Sequence, residues 1–138
     1  MLAKQLYRVR MRAIWSWQGF VHVWRTEGSL SQWLIANAVS AVLAFVLPLS
    51  GAERGMILMG GIMILAAECM NTAIERVVDD ISQEKRDRAQ QAKDAGSAAV
   101  AVTAIAVGVA WVCVIYDMIF YASARIRGRV GPDNQNPA

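Results

Sequence analysis

Four oxygen-bearing side chains, Glu68, Asn71, Glu75 and Asp79, follow one another at steps of three, four and four residues. On a helix turning about 100° per residue they fall within an arc of about 80°, so a single helix presents them as one stripe. The stripe begins among Met, Ile, Leu and Gly and runs out into the charged residues of 75–94. An ionisable side chain at the centre of a membrane helix costs about 2.5–3.5 kcal/mol, so Glu68 asks for a reason. Glu75 lies about 10 Å further along the helix axis, which lets the deeper carboxylate meet lipid-soluble groups and the shallower one meet water.

That division suits phosphoryl transfer from a nucleotide to a lipid-borne alcohol. The nucleotide needs Mg²⁺, a hard cation that takes carboxylate and phosphate oxygens, and a positive group on its β- and γ-phosphates. The acceptor hydroxyl needs a base or positioning group at the interface. Glu75 meets the first need and Glu68 the second, while Lys93 and Asp94 offer a phosphate contact and a polar partner at the same level. The competing reading is a polar stripe that only binds a helix bundle together through interhelical hydrogen bonds, and it stays open for Asn71 and Thr72. Two glutamates, an aspartate and a lysine gathered on one side of a membrane favour chemistry. Glu27 reads by default as a solvated interfacial acid. The run from Glu84 to Arg88 reads as a solvated helix face, with Glu84 and Arg88 at i,i+4. His22 reads as an exposed surface residue. There is no phosphate-binding GxxxxGK[ST] loop, no kinase-type glycine-rich motif, no HExxH and no nucleophile elbow, so a phosphate site here must be built from carboxylates, metal and a few bases.

The elements that would position these groups are membrane helices. The 138 residues are 56% hydrophobic, more than a soluble domain of this size needs. Residues 28–52 and 95–116 carry no Asp, Glu, Lys or Arg, and each gap is long enough to cross a bilayer at about 20 residues per crossing. The expected architecture is all-α, a single membrane domain over 1–122 with spans at about 33–49, 56–74 and 97–121, and a mobile tail at 123–138. Pro48 to Gly51 makes a turn holding Glu53 and Arg54, and 75–96 a charged helix extension and turn. Leu2, Leu6, Val9, Ala13, Trp17, Phe20 and Trp24 share one face of a helix over 2–27, opposite Lys4, Arg8 and Arg12, the pattern of a helix lying in the membrane interface.

Lys and Arg number five in 1–31 and five in 75–96, against four elsewhere, which places the N-terminus and the 75–96 loop in the cytoplasm. The net charge of +3 sits beside apolar runs, as at a membrane surface, and not in a soluble patch fit for nucleic acid. Cys69 and Cys113 lie in apolar segments without disulfide or zinc spacing. No cleavable signal peptide is expected. Two readings from other classes stand beside the enzyme: a small proton-coupled exporter, which would be expected to need more spans, and a structural membrane subunit.

The run ECMNTAIERVVDD at 68–80, followed by AKDAGSAAV at 92–100, with SWQGF at 16–20, Trp24 and Glu27 upstream, resembles the prokaryotic diacylglycerol kinase family over about residues 7–121. The resemblance implies a homotrimer in the bacterial inner membrane, with each active site between neighbouring subunits. It implies ATP and diacylglycerol as substrates and Mg²⁺ as cofactor. By the same resemblance Glu68 is the catalytic base, Glu27 and Glu75 bind metal, and Lys93 holds the nucleotide phosphates with Asp94 and Glu84 near the adenosine. Arg8, Trp15, Lys85 and Arg86 match positions around the nucleotide, and Asn71, Asp79, Ser97 and Trp111 positions that support the site or the lipid, with Trp17 and Trp24 on the lipid side. Trp15 stands where relatives often have tyrosine, Lys85 and Arg86 replace an aromatic and a histidine, and Trp33 replaces a frequent acid. The Gly96–Ser97 pair favours diacylglycerol over the undecaprenol that related kinases phosphorylate.

Overall fold

The computed structural model describes residues 1–129, with side chains through residue 120. It is all-helical there, with α1 at Leu2–Thr26, α2 at Gly28–Val46, α3 at Gly51–Ile81 and α4 at Asp87–Arg129. Helices α2, α3 and α4 through Phe120 are each long and apolar enough to cross a membrane. Helix α3 is central, packing most extensively on α4 and then on α2. Among the described residues helix α1 touches α2 and α3 but not α4, and its one buried residue is Val23.

Pro48 ends α2. The residue before a proline is pushed out of the helical region, and Leu47 is extended at φ −77°, ψ 149°. Ser50 then opens α3 with a capping box: its hydroxyl accepts from the Glu53 N–H at 3.3 Å, and its own N–H donates to Glu53 Oε2 at 2.6 Å. Glu53 and Arg54 therefore belong to the first turn of α3, not to the turn before it as the sequence suggests. Arg54 reaches back to donate from Nε to the Ala44 carbonyl at 2.9 Å, satisfying a carbonyl that the end of α2 leaves free. These contacts surround a small apolar cluster of Ala44, Leu49, Ile57 and Val114, flanked by Leu47 and Trp111.

The three helices that carry the expected spans begin earlier than the apolar runs. Helix α2 starts at Gly28 rather than 33, α3 at Gly51 rather than 56, and α4 at Asp87 rather than 97. Hydropathy marks the segment that lipid solvates, whereas helical hydrogen bonding continues into the polar flanks until a cap or a proline stops it. Helix α4 also runs to Arg129, past the start of the expected tail, and 130–138 lie outside the described residues.

The α3–α4 connection is short, residues 82–86. Ser82 is extended, and its hydroxyl accepts from the Glu84 N–H at 3.1 Å. Glu84 thus lies in the connection and Arg88 in the first turn of α4, so the two do not share a helix face as their spacing suggests. Asp87 opens α4, where a negative charge suits the helix dipole.

Candidate functional site on helices α3 and α4

All four members of the stripe lie on α3 without a break, and contacts along it are with α4. Glu68 is 5% exposed and Asn71 9% exposed, both buried within a single chain. Asn71 Nδ2 donates to Glu75 Oε1 at 3.1 Å, which ties the buried part of the stripe to the half-buried carboxylate one turn on. Further out, Lys93 Nζ pairs with Asp79 Oδ1 at 2.6 Å across the helix pair. Asp94 accepts from Gln90 Nε2 at 2.8 Å on the exposed side of α4.

Close approach of α3 and α4 depends on Gly96. A Cβ there would run into Asn71 Oδ1 and come within 3.3 Å of its Cγ. Asn71 has little room to yield, because it is buried and held by Glu75. Alanine is the better helix former by about 0.8–1 kcal/mol, but overpacking a well-filled contact costs about 1–3 kcal/mol. Gly96→Ala is accordingly expected to lower the thermal inactivation temperature and to reduce activity by displacing Asn71. Heating the purified protein and following residual assembly and activity checks this.

Asn71 Oδ1 is the one buried side-chain polar atom among the described residues with no hydrogen-bond partner. A buried acceptor left bare costs about 1–3 kcal/mol, so the site holds a standing demand for a donor. Glu68 is a near neighbour three residues back on the same face.

At the outer end, Val78, Asp79, Ser82, Gln83, Glu84, Lys85, Arg86, Asp87, Ala89, Gln90 and Lys93 line an open hollow of about 440 Å³. It gathers Lys85, Arg86 and Lys93 with Asp79, Glu84 and Asp87, three basic and three acidic groups, in one place.

Glu27 joins the site through a residue that spacing did not single out. It sits between α1 and α2 in an extended conformation, φ −114° and ψ 116°, and its side chain caps neither helix. Arg76, the residue after Glu75, donates from Nη2 to Glu27 Oε1 at 3.2 Å and also to Thr26 Oγ1. The junction carrying Glu27 is therefore docked on α3 at the level of Glu75. No three carboxylate, thiol or imidazole groups converge among the described residues. Two carboxylates completed by substrate phosphates and water are nonetheless a usual Mg²⁺ environment, so the oxygen donors present fit that ion.

Other candidates lie elsewhere in the chain. Arg8 and Trp15 flank a shallow hollow on α1 with Tyr7, Met11 and Arg12, away from α4. Trp17 and Trp24 are exposed on α1, and Ser97 is exposed on α4. Trp111 lies about 21 Å along α4 from Ser97, where its Nε1 donates to Ser40 Oγ at 2.9 Å and its ring flanks the apolar cluster. Gly96, Arg76 and Thr26 are contributors that periodicity could not reveal, since each acts through a partner distant in sequence.

The sequence pattern of the prokaryotic diacylglycerol kinase family matches residues 14–115. The diacylglycerol kinase of Pseudomonas aeruginosa is 33% identical over 110 residues, covering 80% of this chain and 89% of that protein. The diacylglycerol kinase of Escherichia coli K12 is 30% identical over 110 residues, covering 80% and 90%. That of Haemophilus influenzae is 29% identical over 97 residues, covering 70% and 82%. The chain belongs to the prokaryotic diacylglycerol kinase family.

Proposed function

We propose that this protein phosphorylates diacylglycerol to phosphatidate at the cytoplasmic surface of the bacterial inner membrane, by direct in-line transfer of the γ-phosphoryl group of ATP. The observation that carries the reading is a buried carboxylate, Glu68, at the inner end of a polar stripe whose outer end opens on a hollow that holds Lys85, Arg86 and Lys93 among acids. Residues 1–122 act as one membrane unit, with α1 lying in the interface and three copies forming the active assembly. Arg8 and Trp15 do not approach α4 within one chain, which supports sites completed by a neighbouring copy.

The acceptor hydroxyl arrives from the lipid side and donates its one hydrogen bond to the buried Glu68 carboxylate. As the hydroxyl oxygen bonds to the γ-phosphorus, its proton passes to Glu68 and the bond to the β,γ-bridging oxygen breaks, releasing ADP. Lys93 leaves Asp79 to face the β- and γ-phosphates, a small movement for a flexible ammonium. Glu84, Lys85, Arg86 and Asp94 surround the rest of the nucleotide. Glu27 and Glu75 hold Mg²⁺, which when bound neutralises phosphate charge. Trp17, Trp24, Ser97 and Trp111 border the lipid.

The acceptor is tested by offering diacylglycerol and undecaprenol separately to purified protein with ATP and Mg²⁺ in mixed micelles. Faster phosphorylation of diacylglycerol is expected, and a preference for undecaprenol would move the chain to the polyprenol kinases.

Orientation has its own expected result. Position 53 lies in the first turn of α3 and position 87 opens α4 just past the other end of α3, and the 28 residues of α3 beyond Glu53 rise about 42 Å, more than a bilayer core of about 30 Å. Single cysteines at these positions, with Cys69 and Cys113 replaced, should label from opposite sides, position 87 from the cytoplasm. Labelling from one side would overturn the three-span topology.

A further inference from the structure

We infer that Arg76 occupies Glu27 in place of the metal when no nucleotide is bound, so that the site takes a divalent cation only together with a nucleoside triphosphate. The inference rests on the reading of Glu27 as a metal ligand. Arg76 is not part of the carboxylate stripe: at about 100° per residue it lies well to one side of Glu75 on α3, facing α1. There it lines a largely apolar groove with Phe20, Val23, Thr72 and Ala73. Its Nη2 donates at once to Thr26 Oγ1 and to Glu27 Oε1, the carboxylate at 3.2 Å. Thr26 is prepared for this contact, since its own hydroxyl hydrogen goes to the His22 carbonyl at 2.9 Å and leaves a lone pair for the guanidinium. A planar guanidinium can bridge two such acceptors.

The contact has two consequences. First, it fixes a carboxylate that caps neither adjoining helix and has the Thr26 hydroxyl 3.5 Å away beside it. Second, it sets a positive charge against one of the two carboxylates meant for Mg²⁺. A free dication approaching Glu27 meets that charge, and a unit charge a few ångströms from a dication changes affinity by about tenfold even in a high dielectric. Mg²⁺ carried by ATP differs, because the complex bears net negative charge and its phosphates give Arg76 an alternative acceptor. Arg76 is thus a positioning residue that couples metal entry to nucleotide entry.

Binding of Mn²⁺ alone, read from the loss of the free-ion electron paramagnetic resonance signal, tests this on the full-length assembled protein without nucleotide. Arg76→Met should bind Mn²⁺ at least about tenfold more tightly than the wild type. Arg76→Lys, which keeps the charge, should stay near the wild type, and the gain in Arg76→Met should vanish when Glu27→Gln is added. All variants are first checked for intact assembly. Unchanged Mn²⁺ affinity in Arg76→Met, or a gain that survives Glu27→Gln, would overturn the inference. The Mg²⁺ requirement of the Glu27→Gln kinase separates the two levels. If it rises while Arg76→Met binds Mn²⁺ like the wild type, Glu27 remains a ligand and only the role of Arg76 falls. If it does not change, the ligand reading falls and takes this inference with it.

Discussion

Glu68→Gln should lower turnover by about 10²–10⁴-fold, the usual contribution of a positioned acid or base, while affinity for ATP changes little. Glu68 is 5% exposed and sits two turns deeper along α3 than Glu75, at the depth where an alcohol carried on acyl chains would present itself. The phosphate contacts proposed for Lys93 and the metal contacts proposed for Glu75 lie outward along the helix. An effect confined to turnover therefore separates proton transfer from nucleotide binding. Glutamine keeps the shape and most of the hydrogen-bonding capacity of glutamate, so a packing role would leave turnover nearly intact. Steady-state kinetics in ATP at saturating lipid, on protein verified as assembled, makes the distinction. Near-normal turnover would remove Glu68 from the chemistry.

Glu75→Gln should fail differently. Its Oε1 accepts from Asn71 Nδ2 at 3.1 Å, and a glutamine oxygen can accept the same bond, so α3 and its packing on α4 should persist. The loss is of negative charge at a metal position. Removing even an outer partner of a metal ligand typically costs about 10–100-fold in metal affinity or activity, and removing a direct carboxylate ligand should cost at least as much. Activity at ordinary Mg²⁺ is expected to fall by that factor or more, with the defect appearing in the Mg²⁺ and ATP dependence. Full activity at ordinary Mg²⁺ would take Glu75 out of the metal site.

The stripe on α3 was legible in the sequence because a helix converts spacing into geometry, and 68, 71, 75 and 79 needed no tertiary information to share a face. The same holds for the three apolar spans. Their ends were not legible to the same degree, because hydropathy reports lipid contact while the ends depend on Pro48, on the Ser50–Glu53 box and on Ser82. Pairings across helices were legible only as possibilities. Lys93 was placed at the right level but not on Asp79, and Glu27 read as a solvated acid until family resemblance suggested otherwise. Arg76 counted only as one positive charge among ten, since nothing in the local pattern around position 76 points to a partner 49 residues away. Trp111 was singled out by resemblance alone, and its hydrogen bond to Ser40, 71 residues away, had no signal in the local pattern.

The most direct measurement is transfer of labelled γ-phosphate from ATP to diacylglycerol by the purified protein in mixed micelles, with the Glu68→Gln protein run alongside. Label should appear in phosphatidate with the wild type, require Mg²⁺, and fall by two or more orders of magnitude with the variant. No label in phosphatidate from intact, assembled wild-type protein supplied with ATP and Mg²⁺, or equal labelling by the two proteins, would contradict a lipid kinase that works through the buried carboxylate.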